Sequence, residues 1–334
     1  MINTHANKNM SIDFFRKEIS RERTINLDFG YLSGVIEAWW KKNNEQNIHT
    51  LKIQLIGLLT TYLHAEDSYY FDKVGRANSG AAAVCIKNIF TLDCPRLALT
   101  AHEALADLFH LTDIKYDYEE HKALYLKPSA ERYREWGNGH GDITPHSDDL
   151  YENLNVDYLA LTVCRDETNT PTAYYFPADL LCELQDEDIQ TLLTMQATFI
   201  SGKNVTSSKQ RVRNVVEYDE DYGYQFSLDF RIDPHRGERM RGINGGQHVL
   251  DKIRAMLPTV THRVSTAETG TFLIVANHKI LHARPMLNIS KEEARTRAIT
   301  SSFATTPRLL FRSKGPRKQY YSLDEIAFLQ EAHS

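Results

Sequence analysis

A His-Ser-Asp tripeptide at positions 146–148 sets an imidazole and a carboxylate two residues apart. On an extended strand, residues i and i+2 point to the same side, so His146 and Asp148 can reach one ion together. A second imidazole must come from a distant segment, and His278 and His282 compete for that place. His278 lies in the polar turn Asn277-His278-Lys279, where solvation is expected. His282 follows Ile280-Leu281 at the start of a new apolar segment and is expected to point inward. Two imidazoles and one carboxylate, with the remaining positions open, form the facial donor set of a non-heme Fe(II) site.

The tripeptide alone is a weak signal in a chain with 14 histidines, where a surface turn is the bland alternative. Its setting strengthens it. The run Gly137-Asn138-Gly139-His140-Gly141-Asp142 allows close backbone packing just ahead of it. Residues 156–164 are rich in β-branched and aromatic side chains and read as a buried strand. The apolar run 272–276 reads as another. Residues 294–303 partly alternate, with Arg295 and Arg297 on one face. The planar fork of arginine matches two carboxylate oxygens, so an inward arginine here suggests a carboxylate anchor. The competing reading is a pair of solvated arginines on an edge strand.

Taken in order, these pieces resemble the Fe(II)/2-oxoglutarate oxygenases: H-x-D, a threonine after the next strand, a distal histidine in H-x-R-P, then arginine on the last strand. The nearest likeness is to the clavaminate synthase and taurine dioxygenase group, and within it to hydroxylases of free amino acids. The resembling segments span residues 121–305. The resemblance implies a mainly β fold with flanking helices, built on a double-stranded β-helix (a cupin-like jelly roll). It implies Fe(II) held by His146, Asp148 and His282, with 2-oxoglutarate and O2 as cosubstrates. Thr172, in Asn169-Thr170-Pro171-Thr172-Ala173, matches the family threonine that binds the cosubstrate carboxylate. Arg297 best matches the family arginine, with Arg295 second. Many of these hydroxylases carry Glu at the carboxylate position and Thr between the ligands, where this chain has Asp148 and Ser147. A related halogenase has a small residue in place of the carboxylate, so Asp148 argues for hydroxylation or another oxidation.

Substrate identity is read from acidic residues. Asp149 and Glu152 follow the ligand segment, and Asp229 and Asp233 lie in Leu228-Asp229-Phe230-Arg231-Ile232-Asp233. Buried carboxylates near a metal suit an amine or guanidinium. In similar hydroxylases an Asp after such a stretch meets the basic side chain of the substrate, and Asp233 is the nearest match. The leading expectation is therefore hydroxylation of an unactivated C–H bond in a free basic amino acid, lysine or arginine. One alternative is the same chemistry on a small acidic or sulfonated substrate. Its expected mark is a cluster of arginines, rather than carboxylates, around the iron. Another is a non-catalytic cupin-like binding protein.

Composition fits an enzyme of small molecules. The 334 residues suffice for one large domain with a substantial core. A net charge of −5 gives no footprint for nucleic acid or an anionic membrane. No apolar run approaches a membrane span, and the polar N-terminus lacks the apolar stretch of a secretory leader. The four cysteines form no C-x-x-C pair; Cys164 and Cys182 are expected to be buried thiols in a reducing, cytoplasmic setting. A homo-oligomer is compatible with all of this.

A single domain is expected over 1–334. Residues 1–120 form a helical layer with the first strands, helical near 11–22, 31–42, 49–64 and 95–109 and extended near 81–90. Residues 121–305 form the β core, with a substrate lid inserted near 201–258. Residues 177–195 read as a helix with a break near 186–188. The stretch 311–318 is basic and expected to be solvent-exposed.

Overall fold

The computed structural model describes residues 11–114, 124–128, 139–203, 205, 207–290, 292–294, 296 and 306–317. Its N-terminal part holds the expected helices α1 (Ile12–Ile19), α2 (Gly30–Asn43) and α3 (Ile48–Tyr62), a short α4 (Ala65–Tyr69) outside the expected ranges, and the expected α5 (Pro95–Leu108). Their starts have local causes. The Ser11 side chain accepts from Phe14 N at 3.2 Å and the Asn47 side chain from Thr50 N at 2.9 Å. Both satisfy amides that a helix leaves unpaired. Pro95 opens α5, where its missing N–H costs nothing. Two strands accompany them, β1 (Arg23–Asp28) and β2 (Ala81–Lys87), paired in parallel.

The middle of the chain supplies β3 (Leu124–Leu126), β4 (Ile143–His146), β5 (Tyr158–Asp166) and β6 (Ala173–Tyr175). Helices α6 (Pro177–Leu181) and α7 (Asp186–Thr194) follow; the break lies at 182–185, ahead of the expected 186–188, which form the first turn of α7. Next come β7 (Gln196–Ile200), β8 (Gln210–Asn214), β9 (Val216–Asp219), β10 (Gly223–Phe226), β11 (Ile232–Asp233), β12 (Gly237–Glu238), β13 (Met240–Gly242) and α8 (Gln247–Met256). The chain then returns through β14 (Arg263–Val264), β15 (Thr271–Ala276), β16 (Leu281–Arg284) and β17 (Arg308–Gly315).

Two sheets carry the site. One has six strands in the order β1-β2-β15-β5-β17-β3, the other four in the order β14-β6-β16-β4. Strand β5 is almost wholly apolar because both of its faces are covered. Alternation sorts the residues of the larger sheet. Ala160, Cys164, Phe272, Ile274, Leu309 and Phe311 face outward and pack with helical residues such as Leu51, Leu97 and Leu105. Leu159, Leu161, Val163, Leu273, Val275 and Leu310 face inward and pack with Tyr174 of β6, so the two sheets enclose a shared interior. Gly270 makes the entry to β15 possible. Its φ is +76°, and a Cβ there would collide with the Phe90 carbonyl oxygen. Only glycine takes that conformation at no steric cost. The close approach lets Ile89 N donate to Gly270 O at 3.0 Å.

Within 201–258, Val216, Phe226, Phe230, Met240 and Leu250 share a second apolar core with Phe199 of β7 and with α1, α6 and α7. Several expectations change here. Cys182 is exposed, since it follows α6 at the surface, whereas Cys85 and Cys164 are buried. Residues 292–294 and 296 are helical rather than extended. The basic stretch near 311–318 is not a solvated tail. It forms most of β17, where Lys314 is 3% exposed, and Arg317 just beyond is 2% exposed.

Candidate metal centre

His146 closes β4 and His282 sits near the start of β16; the two are direct cross-strand partners. That register brings residues 136 positions apart into contact, with ring centroids 4.1 Å apart. Asp148 lies just beyond β4. Its Oδ1 is 3.3 Å from His146 Nε2 and 3.8 Å from His282 Nε2. Among the described residues, His146, Asp148 and His282 are the one group whose donor atoms lie close enough for an ion, all within 4.8 Å and all buried.

The donor chemistry fits a divalent metal. His146 Nδ1 donates to Thr144 O at 2.8 Å, which leaves the Nε2 lone pair facing Asp148. Such a contact fixes both the tautomer and the orientation of a ligating ring. Burial, then the neighbouring His146, push the His282 imidazole down to about 3. It therefore stays neutral, as a ligand must. Burial opposes charge on Asp148, but His146, His282 and Lys314 outweigh it and hold the carboxyl well below the usual range. Two imidazoles and one carboxylate therefore converge in a buried site.

Asn277 positions the carboxylate ligand. Its Oδ1 accepts from Asp148 N at 2.8 Å, and its Nδ2 donates to Asp148 O at 3.1 Å and Val156 O at 2.9 Å. The 277–279 turn is thus buried rather than solvated. His278 is also buried, with Nδ1 3.4 Å from Phe226 O, and it stands apart from the three ligands. Asp149 adopts a left-handed φ of +54°, and this turns the chain away after the ligand. Asp tolerates that region better than most residues. Its carboxylate pairs with Lys314 at 2.5 Å and accepts from Tyr151 Oη at 3.0 Å.

The other acidic residues are also engaged by the protein. Glu152 pairs with Lys209 at 3.2 Å. Asp233 accepts the backbone amides of Lys203, His235 and Arg236 and so ties a loop. Asp229 faces His146 across an antiparallel bridge and accepts Arg231 Nε at 2.9 Å and Nη2 at 2.7 Å. Arg239 Nη2 lies 3.9 Å from the same carboxylate. Burial opposes its charge, yet the two guanidiniums hold Asp229 down at about 2. The pattern is D-x-R-x-D, and alternation sets Arg231 on the face of Asp229 and His146. Arg231 is the residue that a reading weighted toward the acids leaves out, although that spacing makes it legible.

Thr172 precedes β6, two residues from Tyr174, which pairs with His282, so both lie on the inward face. Its backbone is held by Ser265, which donates from N to Thr172 O at 2.9 Å. Arg295 and Arg297 lie outside the described residues. The strand that ends the core is β17, where Leu310, Arg312 and Lys314 alternate inward. The Arg312 charge is felt at His282. Arg284, two residues past His282, donates to the carbonyls of Gly139 and Gly141, which gives the Gly-rich approach its partner.

Solved structures of similar fold add the chemical setting. At TM-score 0.64 and 14% identity, the chain matches the non-heme iron oxygenase OrfP in complex with Fe, succinate and (3S)-hydroxy-L-Arg, over 91% of this chain and 98% of that one. It matches asparagine oxygenase in complex with Fe(II), 2S,3S-3-hydroxyasparagine and succinate at TM-score 0.66 and 13% identity, over 90% and 98%. A further OrfP complex holds Fe and alpha-ketoglutaric acid (TM-score 0.61, 15% identity, 88% and 94%). The chain has the fold of the non-heme iron oxygenases. No family model and no curated protein matches it in sequence. These oxygenases are seen with iron and a hydroxylated amino acid, and OrfP also with alpha-ketoglutaric acid; this chain presents a His-Asp-His group of the kind that could bind iron. No described helix is long and apolar enough to cross a membrane.

Proposed function

We propose that this protein is an Fe(II)- and 2-oxoglutarate-dependent hydroxylase of a free amino acid, built on a jelly-roll core. The observation that carries the reading is the convergence of His146, Asp148 and His282 inside an oxygenase fold. Bound there, Fe(II) with 2-oxoglutarate and O2 would supply the oxidation of an unactivated C–H bond, one oxygen atom going to the substrate hydroxyl and the other to succinate, with CO2 released. The residues of the chain bind and orient. His146, Asp148 and His282 would hold the ion. Arg312, inward on β17 and half-buried, is the guanidinium among the described residues best placed to anchor the distal cosubstrate carboxylate, with Thr172 on the facing strand. Apolar inward residues such as Leu161, Val163 and Leu273 exclude water from this interior. Free thiols at Cys85 and Cys164 are consistent with a reducing, cytoplasmic setting.

The test is anaerobic titration with Fe(II) and 2-oxoglutarate. The expected result is the visible charge-transfer band of the chelate, absent in Asp148→Ala. No band in the wild-type protein overturns the reading. A second arm separates the arginines. Arg312→Ala should raise the 2-oxoglutarate KM on the order of 10- to 100-fold, the loss of a charged hydrogen-bonded pair. Arg297→Ala should change it less; the reverse order assigns the anchor to Arg297.

A further inference from the structure

The turn between β15 and β16 carries three consecutive buried polar residues, and each reaches a different part of the chain. Lys279 N donates to Ala276 O at 2.9 Å, which closes a β-turn with Asn277 and His278 at its centre. Asn277 grips the Asp148 peptide, as described above. His278 O accepts from Phe226 N at 2.7 Å, at the end of β10. Lys279 Nζ donates to Glu22 Oε1 at 2.9 Å, across 257 positions of sequence. Glu22 stands in the link between α1 and β1.

Stability alone is a poor reason for the Glu22–Lys279 pair. Its side chains are 10% and 6% exposed, so both charges have given up most of their water. A buried ion pair of this kind adds little over an apolar pair of similar volume. What it supplies is direction. An ammonium joined to a buried carboxylate is held in one orientation, and Lys279 closes the same turn that presents Asn277. The Asn277 contacts to Asp148 N and O, at 2.8 and 3.1 Å, tolerate little displacement before they weaken. A continuous path of contacts therefore runs from Glu22 to Lys279, through the turn to Asn277, and on to the carboxylate ligand.

Resting on the metal-centre reading above, we propose that Glu22 is a positioning residue for that centre: through Lys279 it fixes the turn whose Asn277 orients Asp148. Glu22 acts at a distance, on how tightly and in what geometry the ion is held, and touches neither the ion nor a substrate.

Metal binding, rather than turnover, tests this. Co(II) is the probe: its visible absorption reports ligand geometry, and competition with a chelator gives its affinity. The full chain carries Glu22→Leu together with Lys279→Met, an apolar pair that removes both charges at once. Its urea midpoint should equal or exceed that of the wild type, since the desolvated charges are gone. Its Co(II) affinity should nevertheless fall about threefold to 10-fold, the low end for contacts behind a metal ligand, with a shifted visible band. Glu22→Gln alone, which keeps an acceptor for Lys279, should retain most of the affinity. In an Asn277→Ala background the paired substitution should change the affinity less than about twofold, because the path is already cut. Should the apolar pair fail to fold, Glu22→Gln with Lys279→Met carries the same measurements. Two results overturn the proposal: unchanged Co(II) affinity in the paired variant, or a loss of equal size with and without Asn277. A wild-type protein that binds no Co(II) instead removes the metal-centre reading itself.

Discussion

A buried imidazole lies on each side of the six-stranded sheet, His102 from α5 and His282 from β16 of the facing sheet, and the contrast between them separates structure from site. On the outer face, His102 of α5 is fully buried, with Nδ1 2.8 Å from Thr162 Oγ1 and Nε2 2.8 Å from Ser313 Oγ. In the interior between the sheets, His282 is 8% exposed, its Nε2 faces Asp148, and its Nδ1 has no hydrogen-bond partner among the described residues. Burial pushes both imidazoles down to about 3, so depression of the pKa does not distinguish them. What distinguishes them is closure. Both nitrogens of His102 are occupied by hydroxyls and nothing remains for a ligand. The interior pair instead aims two nitrogens and an oxygen at one point.

Strand β17 serves both regions through its period of two. Ser313 points outward and completes the His102 contact, while Arg312 and Lys314 point inward to the metal side. The contrast can be broken in four ways, in decreasing order of effect. His282→Ala should abolish Fe(II)-dependent 2-oxoglutarate consumption, a fall of at least about 1,000-fold, or roughly 4 kcal/mol in the barrier; succinate assays check it. His102→Ala should act on the fold alone. It removes a buried ring and takes the imidazole contact from Thr162, while Ser313 keeps its bond to Asp113, at a cost of about 3 kcal/mol in urea unfolding, with the 2-oxoglutarate KM of the folded fraction unchanged. Asn277→Ala should keep all three ligands yet weaken Fe(II) affinity about 10-fold, as losses of ligand-orienting contacts do; competition with a chelator measures it.

The smallest effect is on the slope of stability with pH. An imidazole whose folded pKa lies near 3, against an ordinary value near 6.5, binds a proton in the unfolded chain first. Its contribution is fully present above pH 6.5 and is lost progressively as pH falls toward 3. Each such group adds up to about 1.4 kcal/mol per pH unit in that window. Unfolding at pH 6.5, 5.5 and 4.5 should show stability falling, with a shallower decline in His102→Gln. An unchanged slope would mean that His102 is protonated in the native state.

The candidate metal ligands are legible in the sequence because their logic is local. One strand exit offers His146 and Asp148 together, and the apolar lead-in to His282 marks it as inward. The helical layer is readable from spacing, and β5 and β15 from unbroken apolar runs. Strand β1 is not, because Arg23, Asn26 and Asp28 lie exposed on a sheet edge and leave only Ile25 and Leu27 to mark it as a strand. The 277–279 turn and the basic end of the core depart from expectation for one reason. Polar composition reports the need for a partner, not whether the fold supplies one. Asn277 finds the Asp148 backbone, Lys314 finds Asp149, and Arg317 donates to the Asp157 carboxylate and Tyr158 Oη, so all three are buried. The acidic residues depart in the same way, since composition counts each as available charge.

The Asn277 amide holds both ends of the Asp148 peptide while standing five residues before His282. Two far-apart stretches of chain are thereby locked together by protein contacts alone, ahead of any ion. On the proposed reading, a cation would meet a nest whose backbone is already tied by protein contacts, so little ordering would have to accompany its capture.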